Sequence, residues 1–261
     1  MDNTTYSRES VGHLLTEPGD NCWWCQVRPA TTGEHKFKAS DLARMMDDQG
    51  LVWLNTEGET RTLKGKGAIQ RDRYGVVKFE KSLCAPCNNA ASQPFDTAYE
   101  RFSNYLAAHP QTYQDDGIPF QAVFGETWQD DLLNLARYYA KHFGCQMLRI
   151  GIGVPESLRA FLNGATDMPD CHMGLLTTDE IQRHPFGSGL SISPGVAFVD
   201  PARTELRGCV LASYVGAVGV RFEWNHQGFP DEHRSQFFHF PKPMINRLAD
   251  EMAVFRGEPK Q

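Results

Sequence analysis

Cys22-Trp23-Trp24-Cys25 and, after the 58 residues numbered 26–83, Cys84-Ala85-Pro86-Cys87-Asn88-Asn89 are the stretches on which the fold of this chain turns. Each Cys-x2-Cys knuckle aims two thiolates at one point, and four thiolates in a tetrahedron are the donor set a structural Zn2+ prefers. The remaining cysteines stand singly at 145, 171 and 209, which makes seven, an odd total without the spacing of a disulfide framework. Those three lie in apolar contexts and read as small core residues. Trp23 and Trp24 read as aromatics packed over the metal cluster, in preference to platforms for a base. Knuckles this far apart must clamp the base of an inserted unit, so the content of the insert bears directly on function.

Inside the insert stands Thr32-Gly33-Glu34-His35-Lys36-Phe37-Lys38, and the second knuckle runs into Asn88-Asn89 just before a helical segment. A carboxylate beside an imidazole, with an amide oxygen arriving from a helix start, is a set suited to metal-assisted hydrolysis of a phosphodiester. From Arg61 to Lys81 there are seven basic residues, Arg61, Lys64, Lys66, Arg71, Arg73, Lys78 and Lys81, against Asp72 and Glu80, a local net charge of 7 − 2 = +5 in a chain whose net charge is −6. Such a segment suits phosphate contacts that hold a backbone without reading bases. The glycines Gly65, Gly67 and Gly75 would let the two backbones come close.

Together these residues resemble the HNH endonucleases, nucleases of the ββα-metal or His-Me finger superfamily, in their zinc-stapled form. The resemblance covers about residues 20 to 105 and is silent on the rest. It implies an N-terminal ββα-metal domain with a four-cysteine zinc site, and a divalent ion, Mg2+ or Mn2+, in addition to the structural Zn2+. It assigns His35 as the general base, Glu34 as a ligand of the catalytic ion, and Asn88, with Asn89 as a substitute, as the ligand from the helix start. It implies DNA as the partner, with RNA open because phosphate contacts do not exclude a 2′-hydroxyl. Proteins of this kind and size often serve restriction, phage defence or mobile elements. The chain departs from the pattern at Lys38, where many members carry proline, and at the central asparagine, whose place is nearest to Ser82. It also has Asn where other members use His, a ligand better suited to hard Mg2+ than to a softer metal. A reading from a different class keeps the fold without catalysis: a zinc-binding nucleic-acid-binding or regulatory module.

The rest of the chain reads as local patterns. After Pro94, the spacing of Phe95, Tyr99, Phe102 and Leu106 predicts an amphipathic helix that His109-Pro110 ends. Thr127 and Asp130 make a capping-box-like start, and Leu132, Leu135, Ala136, Tyr139 and Phe143 predict a helix of about four turns that Gly144 ends or interrupts. Pro155 and Gly164 bracket a short helix over 156–163, and Gly151-Ile152-Gly153 reads as the turn before it. Val218, Val220, Phe222 and Trp224 alternate with Gly219, Arg221 and Glu223 as a half-buried strand beside an antiparallel neighbour over 206–215. A last helix is expected to carry Ile245, Leu248, Met252 and Phe255. His226, His233 and His239 fit no strong ligand spacing.

The expected class is therefore α+β in two parts. Residues 1–108 form the zinc-stapled domain, and 109–261 form an α+β domain, with helices and a small antiparallel sheet, that selects substrate, partner or signal. At 261 residues and 41% hydrophobic, the chain has material for a real core. Its 26 Lys and Arg against 32 Asp and Glu exclude a uniformly basic nucleic-acid coat. Cys209 to Val220, twelve residues, falls well short of the roughly 20 that cross a bilayer, and Met1 to Ser10 carries no secretory pattern, so the expected compartment is the cytoplasm with no membrane partner. A homodimer or a protein partner would be met through the C-terminal part.

Overall fold

In the computed structural model, the described residues are 7, 9–45, 50–54, 60–63, 77–109, 118–177, 190–193, 195–216, 218–229 and 245–247. They form a mixed helix and sheet architecture, as the α+β reading expects. In the N-terminal part, residues 31–36 run antiparallel to 77–83. Thr32 pairs with Leu83 and His35 with Lys78. The amide of Phe79 donates to the Glu34 carbonyl at 2.8 Å, and that of Lys36 to the Val77 carbonyl at 2.7 Å. Gly33 is required at this crossing, because a Cβ there would lie 2.2 Å from the Phe79 carbonyl oxygen.

Between the two segments the chain makes helix α1 (Ala39–Met45) and a hairpin of β1 (Leu51–Leu54) and β2 (Thr60–Leu63). α1 is anchored by a buried carboxylate: Asp41 accepts from the Tyr99 hydroxyl at 2.7 Å and from Arg44, whose guanidinium also donates to Ser103 at 2.8 Å. Past Leu83 the chain enters the second knuckle, makes a π-helical turn over Cys87–Ala91, and continues as α2 (Gln93–Ala108). α2 buries Phe95, Tyr99, Phe102 and Leu106, the spacing the sequence presents, and is capped at His109.

Helix α3 (Phe120–Phe124) leads to the long α4 (Trp128–Arg149). The Thr127 side chain makes no capping bond to backbone; its hydroxyl donates to Asp131 at 2.8 Å. Gly144 neither ends nor interrupts the helix. Its missing Cβ is the reason for its presence, because a Cβ there would lie 2.4 Å from the ring of Trp23, which packs against the helix at that point. Glycine in a helix interior costs about 1 kcal/mol relative to alanine, and tertiary packing overrides that propensity here. α5 (Glu156–Leu162) follows the turn at 151–153, and Gly164 adopts φ +113° just past its end.

The C-terminal sheet has the order β4-β6-β7-β3-β8, with β5 also beside β6. Its strands are β3 (Cys171–Thr177), β4 (Leu190–Ile192), β5 (Val196–Val199), β6 (Leu206–Val215), β7 (Val218–Asn225) and β8 (Ile245–Arg247). β6 and β7 are the antiparallel neighbours the alternation predicts. The expected last helix is not found at its start: Ile245–Arg247 pairs in parallel with Leu175–Thr177 of β3, and Leu248, Met252 and Phe255 lie outside the described residues. The free backbone edge of β3 outweighs a local period-3.6 pattern there. The inner face of the sheet packs on α4, where Phe143 stacks on Phe222 at 4.9 Å. Cys145, Cys171 and Cys209 are buried core residues. One apolar core runs from Cys22 and Trp23 through α2 and α4 to Val220 and Phe222, so packing is continuous across residue 109. Among the described residues, no helix is long and apolar enough to cross a membrane.

Candidate functional site

The two knuckles converge. The sulfur atoms of Cys22, Cys25, Cys84 and Cys87 all lie within 4.8 Å of one another, and Cys25 Sγ is 3.8 Å from Cys84 Sγ. None is in a disulfide. Zn–S bonds of about 2.3 Å in a tetrahedron give S···S edges of about 3.8 Å, so the cluster is able to hold a metal ion and is consistent with structural zinc. The first knuckle closes tightly because Gln26 takes φ 58° and its amide returns to the Cys22 carbonyl at 2.8 Å. Burial pushes the Cys22 and Cys87 thiols up. At Cys25 burial acts the same way, but the amides of Arg28 and Val27 outweigh it and bring the thiol down to about 6. Buried thiols of this kind become four thiolates only with a cation between them. Trp23 lies against Gly144, and Trp24 stacks on Phe95 at 6.0 Å with its indole N–H donating to Asn163 at 2.9 Å. Both tryptophans are buried packing residues.

Beside the staple is a buried polar site built from three separate stretches. The 31–36 segment supplies Glu34, which is buried, and His35, which is half-buried. α2 supplies Asp96, and the turn before it supplies Ser92, whose hydroxyl also donates to the Asn88 carbonyl at 3.0 Å. α4 supplies Lys141 and His142, neither of which the sequence reading singled out. Lys141 is entirely buried; its Nζ lies 3.2 Å from Glu34 Oε2 and 3.7 Å from Asp96 Oδ1, and donates to Ser92 Oγ at 3.2 Å. Lys38 Nζ lies 2.5 Å from the same Asp96 oxygen. With Glu34 and Asp96 ionised and both lysines charged, the four formal charges sum to zero.

His142 Nε2 is 2.8 Å from the carbonyl oxygen of His35 and 3.6 Å from Glu34 Oε1. Its ring is wedged between Phe79, edge-on at 6.4 Å, and Tyr138, at 4.3 Å. Burial is the largest influence on both imidazoles and pushes each below 6.5; Lys78 adds to the effect at His35. The shift favours the neutral form of His35, the form able to accept a proton. Burial alone would raise Asp96, but Lys141 and Lys38 outweigh it and hold the carboxyl below its usual range.

Asn88 lies in the π-helical turn, a distortion often found at functional positions, and its Oδ1 is buried without a hydrogen-bond partner among the described residues. Asn89 is exposed. Apart from the four cysteines, no group of three or more His, Cys, Asp or Glu side chains converges among the described residues. For a second, hard cation the resemblance names two oxygen donors, Glu34 and Asn88. The Glu34 carboxylate has about four acceptor positions, of which Lys141 and His142 face one on each oxygen, and the Asn88 amide oxygen is unengaged. A small oxygen set completed by water and phosphate is the usual manner of Mg2+.

Other expected site residues fall elsewhere. Lys78 is paired through its backbone with His35, which places it at the site. Arg61 stands in β2 opposite Trp53, and Lys64, Lys66, Arg71 and Arg73 lie outside the described residues. The hydroxyl of Ser82 donates to Cys145 Sγ at 3.7 Å, so it belongs to the core side of the staple. Lys141 and His142 had one signal in the sequence: Tyr138-Tyr139-Ala140 and Phe143-Gly144-Cys145 flank them on both sides, which buries the whole helix circumference and obliges a lysine there to find a partner. No protein-family model, curated protein or solved structure matches the chain.

Proposed function

We propose that the chain is a metal-dependent endonuclease of HNH type that hydrolyses phosphodiester bonds in DNA. The observation that carries the reading is the half-buried His35 directly after buried Glu34, both held by α4 through His142 and Lys141, in a chain whose Asn88 oxygen at the helix start is buried and unengaged. In this reading His35 takes a proton from the attacking water. Glu34 and Asn88 hold Mg2+ or Mn2+, which when bound supplies positive charge for the phosphate and the departing 3′-oxygen. The four cysteines with Zn2+ fix the 31–36 segment against the helix start, and Lys78 and the basic residues of 61–73 hold the nucleic-acid backbone.

A second reading, a catalytically silent zinc-binding module for nucleic acid, draws support from the Lys141–Glu34 ion pair, since an ammonium already satisfies the carboxylate. Zinc-loaded protein incubated with supercoiled plasmid in Mg2+, Mn2+ or EDTA separates the two. The nuclease reading expects ion-dependent nicking, with an RNA of equal length cut more slowly. Binding without nicking in any ion favours the silent module, and preferential cutting of RNA reassigns the substrate.

A further inference from the structure

A general base works only if its imidazole is held to within about half an ångström and 10–20° of the productive pose. The 34–36 backbone is held from one side by residues 77–79, through the Phe79 amide to the Glu34 carbonyl and the Lys36 amide to the Val77 carbonyl. The carbonyl of His35 itself points the other way, and there it meets a side chain from the other half of the protein: His142 Nε2 at 2.8 Å. Ser82, which stands nearest the place of the central asparagine in the resemblance, is turned to Cys145. The His142 ring has little freedom of its own, fixed between Phe79 and Tyr138 on a helix that the Trp23–Gly144 contact locks to the staple.

We propose that His142 is a positioning residue for His35: with its proton on Nε2, 2.8 Å from the His35 carbonyl, in preference to Nδ1, 3.0 Å from the Tyr138 carbonyl, it clamps the His35 carbonyl, fixes the peptide plane from which the imidazole projects, and makes the catalytic site a joint product of the zinc-stapled segment and α4. The proposal rests on the nuclease reading for its catalytic meaning, while the clamp itself is a property of the fold. It assigns to the C-terminal part a role inside the site, in addition to any role in selecting substrate.

Two variants of the full-length, zinc-loaded protein test it. His142→Gln keeps an N–H donor at similar reach, whereas His142→Leu keeps bulk against Phe79 and Tyr138 and removes the donor. The expected result in plasmid cleavage is a kcat lower by on the order of 10- to 100-fold for His142→Leu, the usual range for lost outer-shell orientation. KM for DNA stays unchanged and most of kcat returns in His142→Gln. Amide hydrogen exchange reads the clamp without activity: the amides of Lys36 and Phe79 should exchange at least several-fold faster in His142→Leu than in wild type or His142→Gln. Wild-type kcat in His142→Leu, or a glutamine variant as impaired as the leucine one, overturns the proposal. Unchanged exchange in His142→Leu does so even if the wild type cleaves nothing. Faster exchange with an inert wild type would instead keep the clamp and remove the nuclease reading.

Discussion

The staple and the polar site lie side by side, yet they are built in opposite ways. The four cysteines come as two contiguous knuckles, so each half of the metal site is local in sequence and only one long-range closure is needed. The polar site is drawn from residues 34–38, 92–96 and 141–142, and each charge in it is balanced by a group from another stretch. The staple can form once a metal ion is present; the polar site exists only when α4 has docked. Perturbing the two regions should therefore give different failures.

The largest effect is expected at the staple. Cys84→Ser should release the metal and unfold the N-terminal part, because structural zinc contributes on the order of 10 kcal/mol or more to the folding of such sites. Metal content and a thermal melt check this, and retention of both would show that the knuckles do not act through a metal. Next comes Lys141→Met, which leaves Glu34 and Asp96 facing an apolar side chain. Breaking a buried pair from one side costs about 3–5 kcal/mol, so denaturant unfolding should shift strongly while metal content stays full. Glu34→Gln added to Lys141→Met should restore a large part of the loss; a double variant as weak as the sum of two damaging singles would mean that the pair is not coupled.

Gly144→Ala probes the seam between the two regions. The methyl gains about 1 kcal/mol of helix propensity but collides with Trp23, an overpacking that costs about 1–3 kcal/mol. Net destabilisation is expected, and a more stable variant would mean that Trp23 does not bear on the helix there.

The smallest effect is pH dependence, and it belongs to the polar site. His35 and His142 have folded pKa values below 6.5, so as pH falls below 6.5 the unfolded chain binds protons that the folded chain refuses. Their contribution is intact above that pH and is lost as pH falls through the folded values, with a slope of at most about 1.4 kcal/mol per pH unit for each proton. Melts between pH 7.5 and 5.5 should show this decline, shallower in His142→Gln. For the same reason the acid limb of any cleavage profile should lie below pH 6.5.

What could be read from the sequence follows the same division. Cys-x2-Cys spacing, the 95, 99, 102 and 106 stripe and the 218–224 alternation are local patterns whose physics acts within a few residues, and each appears in the fold. Gly144 misled because the ring that fills its Cβ position comes from Trp23. Ile245 to Arg247 misled because a strand edge far away in sequence offered them a backbone partner. Glu34 and His35 stood out as a pair, but the lysine and histidine that hold them lie over a hundred positions later, at 141 and 142, in a helix whose pattern announced only burial.

The nuclease reading depends most directly on His35. Wild-type protein and His35→Ala, matched for bound zinc and melting temperature, should be compared on supercoiled plasmid with Mg2+ and with EDTA. Ion-dependent nicking by the wild type that disappears in His35→Ala is the expected result, because the nuclease reading makes His35 the general base, and it is not one of the four cysteines able to hold a metal ion. Equal cleavage by both proteins, or a wild type that binds DNA and never nicks it, would contradict it.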